Sequence, residues 1–527
     1  MVYRSSNVMM RLLLAVLGAT LAASANAVPT ITPGSTPVGS WAATAVPGVQ
    51  GTGDTTDVVM AWDMVKRQPL TATDNRVCVI AFHKPNATEY AAGVRNAMNK
   101  VTFIEDNGTA VDVPIAQTTT VNRTGGVVSE FCVDSTLTGV GTNQPTEFRA
   151  IGYPTNGQPV VLQGDDTNIY SIYTSSSTKG RFSFFAQANY SPAVYYVSTT
   201  GSDSNSCTDS AHPCASIQGA KAKITSNFQN QQVCLQEGKY NLNSTSNTTF
   251  RAVTDGWWTI TTCPGASKAN TIINSWGASN VNGAYVQLTR LKNLTIANPK
   301  LVSADGSVTT NNGYWLDNVD WVNQASICLN QTATPPPCDY PFNTNNGKMN
   351  GGIFLTDTKF SNFTNAPNKE ALARNITVDT INADSFQNSF VVINSAVKNV
   401  LYCCSVHPDL NQMSDIPTIY NHIFAYVTAT VNVSQQGPFQ SNGGALYNAW
   451  YDHVTFDGSG GTPSWNLMSM ANGTENINMT NMNLTNDLGV AAGGGSDAYF
   501  ADNVCTKGGS GMGSPTGWTI RNSATCQ

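Results

Sequence analysis

Two short segments of the chain carry the same polar residues in the same order. Asp384 and Gln387 stand in Asn-Ala-Asp-Ser-Phe-Gln, and Asp409 and Gln412 stand in His-Pro-Asp-Leu-Asn-Gln. Each Asp and each Gln is 25 residues from its counterpart. If that spacing is one coil of a repeating fold, the segments stack at about 4.8 Å and their carboxylates share one ridge. A third segment, Gln-Gln-Gly-Pro-Phe around Gln436, falls near the same place in the next coil.

Two adjacent carboxylates support two kinds of chemistry. Asp384 and Asp409 can act as metal ligands for a cation such as Ca²⁺, or they can share a proton so that one is an acid and the other a base. His407, one of five histidines in the chain, is a third candidate catalytic residue beside them. A polar turn with solvated Asp and Gln side chains is the structural alternative.

Cleavage of a uronic-acid polymer by elimination requires a cation beside the sugar carboxylate, a base for the C5 proton and an acid for the leaving oxygen. Lys359, Arg374 and Lys398 lie on neighbouring coils and are catalytic candidates for the first two roles, or else ordinary surface charges. His453 beside Asp452 is a weaker second site. The candidate substrate-binding residues are Gln387, Gln412, Gln436 and Trp450.

These residues lie in a region with a regular repeat. Asparagines followed by apolar residues at the third and sixth positions recur after Leu294, and their spacings of 24, 22, 27 and 28 residues match one coil of a parallel β-helix. We expect these asparagines to stack as an amide ladder inside a turn. The series consists of Asn375, Asn421, Asn448 and Asn476, together with Asn399, whose strand carries one extra residue.

The stretch from Tyr195 to Ala220 contains Tyr-Tyr-Val-Ser-Thr-Thr-Gly-Ser-Asp and His-Pro-Cys-Ala-Ser-Ile-Gln-Gly-Ala. It resembles the N-terminal cap of secreted right-handed parallel β-helix proteins of the pectate-lyase-like superfamily. The resemblance implies an all-β solenoid over the C-terminal part of the chain, with a helix covering its first edge. The Gly-His-Gly and Arg-x-Lys motifs of polygalacturonases and the Arg-x-Pro-x-x-Arg strip of pectate lyases are missing, which leaves the reaction open.

The rest of the chain divides into three further segments. Residues 1–27 read as a signal peptide, with an apolar core and an Ala-Asn-Ala cleavage site, and residues 28–55 as a flexible lead-in. Short alternating strands predict a β-sandwich over residues 56–190, which loosely resembles the immunoglobulin-like modules that precede such β-helices. The right-handed parallel β-helix is expected over residues 191–527.

Composition restricts the partners. A net charge of −6, with only 11% charged residues, argues against nucleic acid as a partner. No segment after the leader is long and apolar enough for a membrane span, and the expected partner is an extracellular polysaccharide. We therefore expect a secreted protein, or one in the periplasm or at the cell surface if the source is bacterial.

Twelve cysteines in an exported chain indicate disulfides, and no Cys/His cluster has the spacing of a zinc site. Nearness in sequence favours five pairs, although sequence alone leaves the connectivity open. The adjacent Cys403 and Cys404 either form a strained vicinal disulfide or leave one thiol free. The favoured pairs are Cys78 with Cys132, Cys207 with Cys214, Cys234 with Cys263, Cys328 with Cys338, and Cys505 with Cys526.

The leading interpretation of the sequence is an exported polysaccharide-active enzyme, a lyase on an acidic glycan ahead of a glycoside hydrolase. Its cofactor is either none or Ca²⁺. The alternative is a non-catalytic glycan-binding or adhesion protein whose long face binds a polymer through aromatic rings. The rings in question are Trp315, Trp321, Trp450 and Trp465.

Overall fold

The structure of the protein is a computed structural model. It describes residues 58–63, 76–83, 98–105, 110–114, 128–134, 145–146, 148–154, 160–162, 184–185, 193–224, 231–241, 258–274, 289–298, 302–303, 313–323, 342–343, 352–363, 370, 372–381, 384–389, 391–400, 409–413, 418–420, 422–431, 439–441, 445–457, 468–469, 475–484, 490–491, 499–506, 518–521 and 524–525. The predicted signal peptide and lead-in, residues 1–55, lie outside these ranges.

The N-terminal strands are antiparallel. They are β1 (Val58–Asp63), β2 (Arg76–His83), β3 (Met98–Glu105), β4 (Ala110–Pro114), β5 (Val128–Asp134), β6 (Pro145–Thr146), β7 (Phe148–Pro154), β8 (Val160–Leu162) and β9 (Phe184–Phe185). They form sheets of order β1-β2-β5, β4-β3-β7-β8 and β6-β9. Antiparallel sheets agree with the expected strand content of this region, while the immunoglobulin-like sandwich and the boundaries at residues 56 and 190 stay predictions.

The cap predicted from Tyr195 to Ala220 is present. Helix α1 (Ile217–Lys223) begins after Ser216, whose hydroxyl accepts a hydrogen bond from Gly219 N–H at 2.9 Å. Asp203 accepts hydrogen bonds from the Ser216 N–H at 3.0 Å and the Ser216 hydroxyl at 2.8 Å. A Cβ on Gly219 would lie 2.0 Å from Asp203 Oδ1, so only glycine allows the helix to seat against this carboxylate.

Parallel strands follow the cap to the end of the chain. They are β10 (Ala193–Val197), β11 (Gln231–Leu235), β12 (Gly238–Asn241), β13 (Trp258–Thr262), β14 (Thr271–Asn274), β15 (Thr289–Lys292), β16 (Thr295–Ala297), β17 (Val302–Ser303), β18 (Gly313–Asp317), β19 (Asp320–Val322), β20 (Phe342–Asn343), β21 (Gly352–Thr356), β22 (Lys359–Phe363), β23 (Leu372–Arg374), β24 (Thr377–Ile381), β25 (Val391–Val400), β26 (Asn411–Met413), β27 (Thr418–Tyr420), β28 (Ile423–Val431), β29 (Phe439–Ser441), β30 (Ala445–Asp452), β31 (Thr455–Asp457), β32 (Met468–Ser469), β33 (Glu475–Leu484), β34 (Val490–Ala491), β35 (Tyr499–Thr506), β36 (Trp518–Arg521) and β37 (Ala524–Thr525).

Each of these strands pairs with the strand one coil further along, which is the architecture of a parallel β-helix. The first stack runs β11-β13-β15-β18-β21-β23-β25, and a second stack runs β12-β14-β16-β19-β22-β24-β25 beside it. A third, shorter stack of order β26-β29-β32-β34 forms another face of the C-terminal coils. The predicted fold class of stacked parallel strands is therefore confirmed.

One row of the apolar core takes a single side chain from each coil. These residues lie in register on the first stack, and each is at most 1% exposed. Burying an aliphatic or aromatic side chain of this size contributes about 1.5–3 kcal/mol relative to leaving it exposed. The row consists of Val233, Ile260, Leu291, Leu316, Leu355, Ala373, Val392, Phe424, Tyr451, Met479 and Ala501.

A single residue with positive φ turns the chain from the first stack into the second. We call these residues the corner ladder: Asn293, Asn318, Asp357, Asn375, Asn394, Tyr426, His453 and Asn481. Asn318 Nδ2 donates to Asn293 Oδ1 at 2.8 Å, and Asn375 Nδ2 donates to Asp357 Oδ1 at 2.8 Å. Asparagine suits the position because it tolerates the left-handed region and can bond its neighbours in the stack.

The asparagine series expected from sequence mixes two positions of the coil. Asn375 belongs to the corner ladder, as expected. Asn448 and Asn476, however, lie within β30 and β33, five residues before the corner residues His453 and Asn481. Asn399 lies five residues after the corner residue Asn394 of its own coil, and Asn421 lies outside the described residues. The period was correct, but membership of one ladder was wrong for Asn399, Asn448 and Asn476, because apolar spacing alone does not tell a strand from a corner.

Two of the five favoured disulfides are present, Cys207–Cys214 and Cys234–Cys263. Cys132 is disulfide-bonded and lies directly opposite Cys78 in the β2–β5 register, and Cys505 is also disulfide-bonded. The pairings of Cys132 with Cys78 and of Cys505 with Cys526 stay predictions, and Cys328, Cys338, Cys403, Cys404 and Cys526 lie outside the described residues. Over the residues described, no helix is long and apolar enough to cross a membrane.

Candidate functional site

The two segments that carry the duplicated motif lie in adjacent coils, as the 25-residue spacing predicts. Ser385 N–H donates to the Asp409 carbonyl at 2.8 Å, and Asn388 N–H donates to the Gln412 carbonyl at 2.6 Å. Between the side chains, Gln387 Nε2 donates to Gln412 Oε1 at 2.7 Å. The backbone and the amides thus hold the two segments one above the other.

The two carboxyl groups, here called the carboxyl pair, are joined through the backbone. Asp409 N–H donates to Asp384 Oδ1 at 3.0 Å, and Gln387 Nε2 lies 3.4 Å from Asp384 Oδ2. Asp384 is half-buried, whereas Asp409 is only 1% exposed. Asp384 is therefore the member of the pair that is closer to solvent.

Burial dominates the electrostatics of the carboxyl pair. Desolvation raises the pKa of Asp384 to about 7, against the opposing effect of the hydrogen bond from Asp409 N–H. Desolvation also raises the pKa of Asp409 well above its usual value, and the nearby charge of Asp384 raises it further. Two carboxyl groups in this arrangement titrate as a unit, so the pair retains a proton near neutral pH.

The surroundings of the Asp409 carboxyl group bear on the two chemistries expected for the pair, which are metal binding and acid–base catalysis. Both of its carboxylate oxygens are buried without a hydrogen bond from any described residue, which disfavours its charged form. A calcium ion takes about six to eight oxygen ligands. The described residues contain no group of three or more His, Cys, Asp and Glu side chains that could hold a metal. Binding of Ca²⁺ by the pair stays a prediction, and we derive no step through a cation.

Two of the residues expected to bind substrate are buried. Gln387 is 8% exposed and Gln412 is 6% exposed, and the two amides bond each other. Their burial fits a role in holding the two coils together and not in contacting a polymer, so the structure does not support that prediction. His407 and Gln436 lie outside the described residues.

Two of the expected cationic residues lie on the second stack. Lys359 in β22 and Lys398 in β25 are exposed, and Asp379 of the intervening strand lies 3.5 Å from Lys359 Nζ and opposite Lys398. Arg374 ends β23 on the first stack, directly before the corner residue Asn375. Lys359 and Lys398 thus lie together, while Arg374 is on the other side of the corner.

A second buried carboxyl group was not anticipated. Glu370 is fully buried, and the Ser389 hydroxyl donates to its Oε2. Desolvation raises the pKa of Glu370 to about 8. Ser389 lies in the same described segment, 384–389, as Asp384, so Glu370 is connected through Ser389 to the coil that carries one member of the carboxyl pair. A lone Glu in a loop gave no sequence signal for this.

The Asp452 and His453 pair, expected as a weaker site, is well ordered by its neighbours. Asp452 is fully buried and accepts hydrogen bonds from the Thr480 hydroxyl at 2.6 Å and from Asn481 Nδ2 at 3.1 Å. His453 Nδ1 lies 2.8 Å from Asp452 Oδ2, and its ring stacks on Tyr426 at 4.8 Å. His453 replaces an Asn of the corner ladder, so a structural role accounts for this arrangement.

Three of the four tryptophans expected on a binding face are buried. Trp450 is fully buried and its indole N–H donates to the Thr480 hydroxyl at 2.9 Å, while Trp315 is 4% and Trp321 is 0% exposed. Rings with no accessible face cannot stack on a sugar, so the prediction that Trp450 binds substrate was wrong, as was the role given to the other two. Trp465 lies outside the described residues.

No protein-family model matches the chain, and no curated protein matches it at a significant level. A solved structure similar to this chain is that of a GH136 lacto-N-biosidase from Eubacterium ramulus, as its selenomethionine derivative, with 10% sequence identity and a TM-score of 0.29. The match covers 62% of this chain and 62% of that chain. At this level of similarity nothing about activity transfers from one protein to the other.

Proposed function

We propose that this chain is an exported β-helix enzyme that cleaves an acidic, uronic-acid-containing polysaccharide by elimination. The carboxyl pair is the observation that carries the proposal. Elimination needs a base and an acid that function at the same pH, and two coupled carboxyl groups that share a proton near neutral pH provide both. Disulfides in the coil agree with export, since they persist in oxidising compartments.

The reaction can be written with the carboxyl pair alone. The ionised member, Asp384, removes the proton from C5 of the sugar and, as the member closer to solvent, also delivers a proton to the oxygen that leaves C4, while buried Asp409 holds the other proton of the pair. The C4–O bond breaks, a C4–C5 double bond forms, and no water is consumed. The pair again holds one proton and one negative charge. Lys359 and Lys398, which are exposed, are the proposed partners of the sugar carboxylate.

The alternative function, non-catalytic glycan binding, loses three of the four aromatic rings named for it. Trp315, Trp321 and Trp450 are buried, and Trp465 lies outside the described residues. A hydrolase would use the same two carboxyl groups with a water molecule, so its products and not the site distinguish it from a lyase.

The proposal is tested by incubating the purified protein with alginate, pectin, chondroitin and a neutral polymer. We expect an unsaturated product, detected by its ultraviolet absorbance, from at least one acidic polymer and none from the neutral one. New reducing ends without that absorbance would show that the protein is a hydrolase and not a lyase. Binding without any product would support the adhesion protein instead.

A further inference from the structure

A cleft on the outer side of the first coils carries a concentration of positive charge. Its volume is about 550 Å³, within the range of about 300–1,000 Å³ that is usual for small-molecule sites. Lys268, Arg290 and Lys292 line it, together with hydroxyl and amide side chains that include Thr259 and Asn293. The cleft belongs to the coils near the cap, several coils away from the carboxyl pair.

The coil register explains why the three cations converge. Arg290 lies opposite Thr259 on one side and Trp315 on the other, and Lys292 lies opposite Thr261. The turn after β13 supplies the facing wall and ends at Lys268. The Cys234–Cys263 disulfide ties the start of that turn to the neighbouring strand. The cleft is thus formed by a stapled turn over two adjacent strands.

Carboxylates hold the cations in place without lining the cleft. Arg290 forms an ion pair with Asp317, and Lys292 Nζ lies 3.8 Å from the same carboxylate. Lys268 Nζ lies 2.8 Å from Asp320 Oδ1. Neither carboxylate is among the residues that line the cleft, so three cations against two carboxylates leave one net positive charge there.

One hydrogen-bond donor of Arg290, its Nε, has no acceptor among the described residues. Its side chain is 6% exposed and its guanidinium lies 3.9 Å from the centre of the Trp315 ring. Its Nε is buried and finds no acceptor in the part of the chain that the structure describes. Because this Nε is itself buried, a ligand in the cleft would meet the two lysine ammonium groups, while Arg290 contributes its charge to the wall of the cleft.

We propose that this cleft binds a carboxylate-bearing sugar unit, with the sugar carboxylate beside Lys292, Lys268 and Arg290 and its hydroxyls against Thr259 and Asn293. The inference rests on the proposed function for the choice of an acidic glycan. It deepens that function by adding a binding subsite separate from the carboxyl pair. Such a subsite would hold the polymer along the axis of the coil while cleavage takes place elsewhere.

The test measures binding by titration calorimetry in the full-length Asp409→Asn protein, which removes turnover from the measurement. The probes are digalacturonate, a mannuronate disaccharide, the neutral galactobiose and a sulfated neutral disaccharide. Lys292→Gln and Lys268→Gln remove cleft charges, and Lys239→Gln, at an exposed position of β12 outside the cleft, is the matched control. Thermal melts check that each variant folds.

We expect at least one of the two acidic disaccharides to bind, and each cleft variant to weaken that binding about tenfold. Lys239→Gln should leave it unchanged, and galactobiose should bind at least about tenfold more weakly. The inference is overturned if neither acidic disaccharide binds, if all three variants behave alike, or if a neutral or sulfated sugar binds as well. If the acidic disaccharide binds in this charge-dependent way but the wild-type protein has no lyase activity, the proposed function is refuted and this inference stands.

Discussion

Asp409→Asn is expected to lower turnover of the acidic polymer by at least about hundredfold, the usual contribution of an acid or base group. Asn has nearly the size of Asp and retains a carbonyl oxygen, so the backbone contacts between the two coils persist. It cannot hold or exchange the shared proton. Because Asp409 is buried without a hydrogen bond from any described residue, its replacement by a neutral side chain should not destabilise the coil.

The measurement is the initial rate of unsaturated product, together with a thermal melt of the same sample. Asp357→Asn is the matched control, since Asp357 is exposed and belongs to the corner ladder, where Asn is the common residue. It should keep full turnover. Full turnover in Asp409→Asn, or a loss that occurs only because the protein unfolds, would remove the carboxyl pair from the mechanism.

The protein is expected to be more stable at about pH 5 than at about pH 8, and Glu370→Gln should remove much of that difference. The pKa of Glu370 is raised by desolvation to about 8 in the folded protein. Below about pH 4 both folded and unfolded chains are protonated, and this contribution to stability is complete. As the pH rises only the unfolded chain ionises, so stability falls until the pH passes the folded pKa near 8.

The expected loss from Glu370 alone is about 5 kcal/mol at most over the whole pH range, since its pKa rises from 4.5 to about 8 and one pKa unit corresponds to about 1.4 kcal/mol. The carboxyl pair acts in the same direction. Melting temperatures of the wild type and Glu370→Gln at about pH 4, 6 and 8 provide the test, with the variant more stable at the highest pH. Equal pH dependence in both proteins would contradict the burial of a neutral Glu370.

Glu237→Gln supplies a control of opposite sign. Hydrogen bonds from Ser267 N–H and then from Asn270 Nδ2 lower the pKa of the exposed Glu237 carboxylate. Its contribution is present above the unfolded pKa and is lost as the pH falls through the folded pKa. The variant should therefore lose a little stability at about pH 8 and none at low pH.

The coil and its cap were predictable because they depend on local signals. Three of these signals depend directly on backbone geometry. They are the Ser before Ile217, the Asp that bonds the same turn, and the coil period of roughly 25 residues. The period also placed Asp384 next to Asp409, because residues that are one coil apart in sequence are stacked in space. These predictions hold wherever the repeat is regular.

The exposure of side chains was not predictable in the same way. The expected binding role of Trp450 assumed that a ring on the outer side of a strand meets solvent, yet the ring is fully buried. Glu370 is likewise buried, although a carboxyl group is usually exposed. What covers an outer position depends on loops whose paths the repeat does not determine, so burial and pKa values required the structure.

The most direct test of the central claim is a pH titration of the carboxyl pair by carbon-13 NMR of protein labelled at the Asp side-chain carboxyl. Asp384→Asn and Asp409→Asn assign the two signals. We predict that a proton leaves the pair near pH 7, and that the signal of the remaining Asp changes its titration when its partner is replaced. If both carboxyl groups lose their protons near pH 4, as an ordinary Asp does at about 3.9, the pair shares no proton at neutral pH and cannot act as the proposed acid and base.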